Sequence, residues 1–364
     1  MSSDEREQTF AYTRPLAELR QADAPDFGGK SANLGELLVA GIPVPPGFAV
    51  AAAAFRTFVE ETGLDRAIAA SMSRASIGDV ESLGAVSKSI GESMRSAPLP
   101  VAVRAEIALA YEELELATGG TEPPVAVRSS ALGEDSQDAS HAGLQESYLW
   151  VRGIEPICDA VRDCWVSLYT PQAINYRATL AGDEAEPAMG VTVQKMVDAQ
   201  VSGVLFTCNP VSGDPSMVAV NASWGLGIAV VGGELTPDDY LVSKITGEVV
   251  RRTIGSKHVE YVPDADGRGT VRVEVPRERR DEACLGEAEI AALVEVAQRV
   301  ERHFGAHQDL EWAIARVQEL PEALLVLQAR PVTTLREQAP KPPVSALSLV
   351  MGTFGASPGT EKRT

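Results

Sequence analysis

The sequence predicts a mixed α/β (α+β) protein with two lobes. Helical and strand periodicities both recur along the chain, strand patterns dominate after about residue 188, and two late segments alternate apolar and polar residues with a period of two. Those segments are Asp309-Leu310-Glu311-Trp312-Ala313-Ile314 and Leu325-Val326-Leu327-Gln328-Ala329-Arg330-Pro331. In a half-buried strand Leu310, Trp312 and Ile314 face one way and Asp309 and Glu311 the other, while Gln328 and Arg330 share a face.

Residues 26 to 50 read as loop, helix and turn. Gly28-Gly29-Lys30 comes first, Leu34, Leu37 and Leu38 follow at helical spacing, Gly41 terminates, and Pro43-Val44-Pro45-Pro46-Gly47 is rigid. Alanine-rich helices are expected at about 51 to 72 and 80 to 117, then a short strand Val125-Ala126-Val127 and a polar small-residue segment from Ser129 to Ser147. A helix is expected over 155 to 181, with Val161, Trp165, Leu168 and Tyr169 on one side. Strands follow at Val191 to Val197, Ser202 to Cys208 and Met217 to Ser223. Beyond them lie the glycine-rich Gly225-Leu226-Gly227, Pro237-Asp238-Asp239-Tyr240, and further strand pattern through Val275. A helix from about 286 to 304, with Ile290, Leu293, Val294, Ala297, Val300 and Phe304 as its core stripe, stops at Gly305 and delivers the chain into the alternating pair. The expected divisions are 1–187, 188–335 and a proline-rich, polar tail at 336–364.

Composition narrows the function. A length of 364 residues suits two or three lobes rather than a fragment. With 32 Lys+Arg against 51 Asp+Glu the formal net charge is -19, which argues against a sequence-independent nucleic-acid or anionic-membrane binder. A polyanion would have to be held by a few placed cations. No apolar run approaches the roughly 20 residues of a membrane span, and the start MSSDEREQ is acidic where a signal peptide is basic, so a cytoplasmic location is expected. Cys158, Cys164, Cys208 and Cys284 show neither a Cys-x-x-Cys pair nor matching histidine spacing, which predicts reduced or buried thiols.

Four segments could carry chemistry. If the two alternating strands pair, Glu311, Gln328 and Arg330 present a carboxylate, an amide oxygen and a guanidinium on one face, a set that suits a magnesium-bound polyphosphate. An ordinary surface Glu/Arg pair is the simpler reading of these residues alone. Gly28-Gly29-Lys30-Ser31 is not a Walker A motif, because that spacing would need a glycine where Ala24 stands. It leaves either an exposed lysine after a turn or a lysine at a helix start that favours an anion. Arg128 stands where a strand becomes a loop, and the loop through Glu134, Asp135, His141 and Gly143 has too few large apolar residues to pack as core, so it is either a linker or a lid. Val193-Gln194-Lys195-Met196-Val197 offers amides and apolar side chains that suit an adenine ring, as many inert strands do.

In this order, the stretches GGKSANLGELLVAGIPVPPGFAV, VAVRSSALGEDSQDASHAGLQESYLWV, VTVQKMVDAQVSGVLFTCNPVSGD, SWGLGIAVVGGELTPDDYLVSK and DLEWAIA with LQARPVTT resemble the ATP-binding domain shared by phosphoenolpyruvate synthase, pyruvate phosphate dikinase and rifampicin phosphotransferase. The resemblance runs from about 26 to 334 and implies an ATP-grasp fold with ATP between two α/β lobes, 1–187 with the lysine and the Arg128 lid, and 188–335 with the adenine strand and the metal hairpin. It implies that Lys30, Arg128 and Arg330 hold and steady phosphates, that Gly143 and Ser147 lie in the lid, that Gln194, Lys195, Met196 and Val197 border the adenine, and that Glu311 and Gln328 hold Mg²⁺. The chain departs from the family pattern at His141, Leu144 and Ile228, and by a longer hairpin loop that includes Pro321.

In such enzymes a histidine on a swivelling domain accepts the β-phosphoryl of ATP, with AMP and phosphate released. His141, His258, His303 and His307 all lack the small-residue context of that carrier. The expectation is therefore the ATP-binding subunit of a split phosphotransferase, with a partner subunit carrying the phosphohistidine and the site for a small acceptor. Aryl-phosphate synthases, which phosphorylate phenol-type or cresol-type compounds in aromatic degradation, are the expected home. A phosphoenolpyruvate synthase-like subunit acting on pyruvate, a non-catalytic ATP sensor, and a self-contained ligase that makes an acyl phosphate and ADP are the alternatives.

Overall fold

The computed structural model describes residues 11–131, 147–179 and 187–332. Strands β1 (Thr13–Pro15), β2 (Gly47–Val50), β3 (Val125–Ala131), β4 (Ser147–Val151) and β5 (Met189–Lys195) form a five-stranded sheet in the order β1-β2-β5-β3-β4. Strands β6 (Ala199–Phe206), β7 (Met217–Trp224), β8 (Asp238–Ser243) and β9 (Val249–Thr253) start a second sheet. A separate ribbon, β10 (Val259–Pro263) with β11 (Thr270–Glu274), interrupts it in sequence before β12 (Gln308–Ala315) and β13 (Leu324–Pro331) complete the order β13-β12-β6-β7-β8-β9. All pairings in both sheets are antiparallel. The expected mixed α/β class is what the chain adopts, and both sheets lie in one compact unit, Met1–Thr333.

The helices sort by which sheet they cover. Those at Ala52–Thr62, Val80–Ser96, Val101–Thr118 and Ile154–Val166 pack on the first sheet, where Phe55 and Phe58 meet Trp165 at ring-centroid distances of 5.7 and 5.4 Å. The expected helix over 51 to 72 is two helices, because Gly63 turns the chain at φ 67 in the left-handed region that glycine adopts without steric cost. The expected helix over 80 to 117 also divides, between Ser96 and Val101, where Pro98 and Pro100 remove backbone donors and fix φ. The 287–304 helix is continuous and ends as expected, with Gly305 at φ 66 as its left-handed cap.

The helix Gly29–Val39 connects the two sheets. Its Leu34 and Leu37 join Ile290, Leu293 and Val300 of the helix Glu287–Phe304 and Leu310, Trp312 and Ile314 of β12 in the core behind the second sheet. Burying each such aliphatic side chain is worth about 1.5–3 kcal/mol. Its first turn instead meets the first sheet, where Ser31 Oγ and Thr192 Oγ1 of β5 are 2.7 Å apart. Gly28 is demanded by this junction: φ is 81, and a Cβ there would come within 2.2 Å of Ser130 Oγ.

The division expected at 187/188 needs a correction. It falls before β5, yet β5 lies between β2 and β3 in the first sheet, so the change of sheet occurs between Lys195 and Ala199. Apolar periodicity identifies a buried strand but not the sheet it joins. The expected tail at 336–364 lies outside the described residues. Among the described residues no helix is long and apolar enough to cross a membrane, and all four cysteines are free thiols, with Cys158, Cys164 and Cys208 buried.

Candidate nucleotide and metal site

The hairpin β12–β13 forms with the predicted parity. Asp309 pairs with Arg330 and Glu311 with Gln328 in register, while Leu310, Trp312 and Ala329 turn to the core. The next register step carries a bulge, with Trp312 opposite Val326 and Leu327 as the extra residue. Without that bulge, a strict alternation through Leu324 and Val326 would turn Gln328 into the core. The extra residue instead puts Gln328 and Arg330 on the Glu311 face, a use of bulges seen next to functional sites. Gly203 of β6 lies opposite Trp312, and a Cβ there would meet Asn221 O at 1.8 Å, so the sheet closes tightly under the hairpin.

Arg128 reaches this face from the other sheet. It sits on β3 opposite Thr192 of β5 and Ser147 of β4, and its Nη1 donates to Glu311 Oε2 at 3.2 Å. Arg128 Nε is buried without a hydrogen-bond partner, a costly state for a charged donor unless an acceptor arrives. Lys30 is buried at the start of its helix and donates from Nζ to Ser129 O at 3.0 Å, one residue beyond Arg128. Asn33 Nδ2 donates to Ala329 O at 3.2 Å and ties the same helix to β13.

Arg330 is held differently. Its Nε donates to Asp309 Oδ2 at 2.8 Å, with Nη2 also 2.8 Å from that oxygen in the ion pair, and its side chain is 58% exposed while that of Asp309 is 9% exposed. Burial pushes the Asp309 carboxyl up from its ordinary value, with the Arg330 guanidinium opposing. The sequence placed Asp309 on this face without giving it a role. Its buried pairing with Arg330 follows from strand register, which becomes readable once the hairpin is assumed.

Gln194 is buried, and its Nε2 donates to Pro45 O at 3.4 Å, so its side chain faces the proline turn. The Lys195 amide donates to Pro46 O and the Met196 amide to Pro124 O, both at 2.8 Å. These two amides are therefore engaged, and what this segment presents is apolar. Met196 and Val197 pack with Trp150, Leu226, Ala313 and Leu327 in a cluster that adjoins Glu311 and Gln328 along β12 and β13. Trp150 reaches this cluster from a bulge in β4, with φ at 58, a region bulky residues rarely adopt. Its carbonyl accepts from Gly269 of the β10–β11 turn at 3.1 Å. Ser147 is exposed at the start of β4, and Gly143, with His141 and Leu144, lies outside the described residues.

A divalent cation fits the donor set. Glu311 is a partly exposed carboxylate that pairs with Arg128. Gln328, directly opposite it, is 8% exposed and carries an amide oxygen. Hard oxygen donors of this kind suit Mg²⁺, which completes its shell with water and phosphate oxygens. Among the described residues there is no group of three or more His, Cys, Asp or Glu residues able to hold a metal alone.

The two sheets bring Arg128 to Glu311, with Gln328 opposite in register and an apolar cluster alongside, while Lys30 is tied to the residue after Arg128. Residues 24–349 match the family model of the pyruvate phosphate dikinase AMP/ATP-binding domain, and the chain belongs to that family, the ATP-binding domain of a group of phosphotransferases. It is 41% identical over 348 residues to a probable phosphoenolpyruvate synthase of Methanothermobacter thermautotrophicus, covering 96% of this chain and 50% of that one. It is 36% identical over 390 residues to the phosphoenolpyruvate synthase of Pyrococcus furiosus, covering 96% and 47%. A third relative, the phosphoenolpyruvate synthase of Aeropyrum pernix, is 38% identical over 356 residues, covering 90% and 43%. The chain thus spans about half the length of these curated relatives.

Proposed function

We propose that this chain is a cytoplasmic phosphotransferase component that binds ATP with Mg²⁺ on the face shared by Lys30, Arg128, Glu311, Gln328 and Arg330 and readies its β-phosphoryl for a histidine on a partner subunit. The observation that carries the reading is the meeting of Arg128 and Glu311 at 3.2 Å from separate sheets, with Gln328 opposite Glu311 in register. A module that only recognised adenine would need none of these groups.

The chemistry balances as ATP plus histidine plus water giving phosphohistidine, AMP and phosphate. Glu311 and Gln328 would hold Mg²⁺, which when bound neutralises phosphate charge. Arg128 and Arg330 supply directed N–H groups, and Lys30 a further positive charge, so these residues carry the positioning and charge stabilisation on which phosphoryl transfer chiefly depends. Met196, Val197 and Leu327 give the base an apolar wall. His303 lies 2.9 Å from Glu36 and His307 3.0 Å from Glu301, away from the Arg128–Glu311 contact.

The names of the relatives favour pyruvate as the final acceptor. A phenolic acceptor, as in the aryl-phosphate synthases of aromatic degradation, is the second reading, and the departures from the family motifs at His141, Leu144 and Ile228 fit an outlying subfamily. ATP labelled separately at the β and γ positions tests the common core: β label is expected on a partner histidine and γ label in free phosphate, and ADP as the sole nucleotide product would sink it. Supplying pyruvate or phenol to the labelled partner then decides the acceptor. If partner activity survives Arg128→Ala while ATP still binds, the chain is a sensor.

A further inference from the structure

We propose that Trp150 is a positioning residue for the nucleotide base: the β10–β11 ribbon grips its backbone, and its ring crosses from the first sheet to support the apolar wall of Met196, Val197 and Leu327. The proposal rests on the nucleotide-site reading. Trp150 is 8% exposed and belongs to the cluster that holds this wall, and among the cluster's described members it is the only one on a strand of the first sheet. Unbroken register would not bring it there. Val127 pairs with Tyr148, so strict antiparallel pairing would set Trp150 opposite Val125, on the face whose valines lie in the first sheet's own core. The observed partner of Val125 is instead Val151, which packs against that core, and the bulge turns Trp150 away from it.

The backbone carries a cost for this placement. A φ of 58 lies in the left-handed region, which a bulky residue occupies only where its surroundings hold it there. Two holds come from the ribbon. The Gly269 amide donates to Trp150 O at 3.1 Å, and Tyr261 of β10 packs in the same cluster. Tyr261 is itself tied down, since its carbonyl accepts from the Leu226 amide at 2.9 Å and its hydroxyl donates to Glu234 Oε1 at 2.7 Å. Just ahead of β10 the fully buried Lys257 donates from Nζ to Asp238 Oδ1 at 2.5 Å, which fixes the root of the ribbon. Space-filling alone requires neither a bulge nor left-handed backbone. Both aim one large ring at the wall, and the ring sets how closely the first sheet approaches β12 and β13 beneath the base. The bonds that join Arg128 to Glu311 and Lys30 to Ser129 do not involve Trp150, so its contribution falls on the base and not on the phosphates.

The test is titration of the full chain in Mg²⁺ with ATP and with inorganic tripolyphosphate, which carries the phosphates without the base, for the wild type, Trp150→Asn and Trp150→Phe. Asparagine tolerates left-handed backbone and removes the ring. Trp150→Asn should bind ATP about tenfold more weakly, the usual size of a small loss of fit in an apolar pocket, while its tripolyphosphate affinity stays within about twofold of wild type. Trp150→Phe keeps a smaller ring and should lose ATP affinity by a smaller factor, again with tripolyphosphate unchanged; it carries the test if the asparagine variant does not fold. ATP should also shift the tryptophan emission of the wild type by an amount that Trp150→Phe lacks. Unchanged ATP affinity in the folded variants, equal weakening of both ligands, or the same emission shift in wild type and Trp150→Phe overturns the proposal while leaving the nucleotide site standing. A wild type that binds neither ligand overturns both.

Discussion

The same hairpin carries two arginine–carboxylate pairs, and they differ in every respect that matters to stability. Asp309 and Arg330 face each other on adjacent strands of one sheet, with a buried carboxylate accepting from Nε of an exposed guanidinium. Glu311 and Arg128 meet across two sheets through a single bond, with the cation the more buried partner. Strand register fixes the first pair, which aims Arg330 outward. The second depends on how the two sheets are held together and leaves donors unused. One pair is thus set within a sheet and the other between sheets, although their carboxylates lie two residues apart on β12.

The largest effect should come from Arg128→Ala. Removal of a guanidinium that steadies a transferring phosphoryl group is worth on the order of 10³-fold in rate, measurable as β-label transfer to the partner histidine, with a lowered melting temperature as well because Glu311 loses its partly buried partner. Trp312→Ala attacks the base of both pairs: the side chain is 1% exposed against the core, and its loss should cost about 3–5 kcal/mol in urea unfolding. Arg330→Lys sharpens the comparison directly. Lysine keeps the charge but lacks a fork that can bond Asp309 through Nε while turning further N–H groups outward, and ATP affinity should fall by on the order of tenfold, the equivalent of one lost charge-assisted bond.

The smallest expected effect concerns the tie between the Lys30 helix and the helix behind the second sheet. Glu36 Oε2 lies 2.9 Å from His303 Nε2; burial alone would raise the Glu36 carboxyl, but the Gln21 amide and the His303 ring hold it below its ordinary value. A depressed carboxylate contributes stability above its unfolded value, about pH 4.3, and that contribution is lost as pH falls through the folded value. Glu36→Gln should therefore cost about 1 kcal/mol at neutral pH and nothing below that window, as read from thermal melts across pH.

Much of this was legible in the chain. The period of two is a local property, and it grouped Asp309 with Glu311 and Gln328 with Arg330 before any fold was known, the two groups sharing a face only if the strands pair. The stripe from Ile290 to Phe304 and its stop at Gly305 are local too. What escaped was long-range or subtle: the membership of β5 in the first sheet, the breaks at Gly63 and around Pro98 to Pro100 inside alanine-rich runs, and the short β1 and β2, whose pairing depends on strands far along the chain. The contact between Arg128 and Glu311 spans 183 positions and could be reached only through family resemblance. The bulge at Leu327 is the exception that could have been found, since strict alternation from Leu324 puts Gln328 on the wrong face.

The central claim, that this face is an ATP site organised by Arg128, is tested most directly by titrating the wild-type chain and Arg128→Ala with ATP in the presence of Mg²⁺. The account predicts saturable one-to-one binding to the wild type and a loss of about tenfold or more in affinity for the variant, which gives up charge-assisted phosphate bonds. Equal affinity for the two chains, or no binding to a folded wild type, would contradict it.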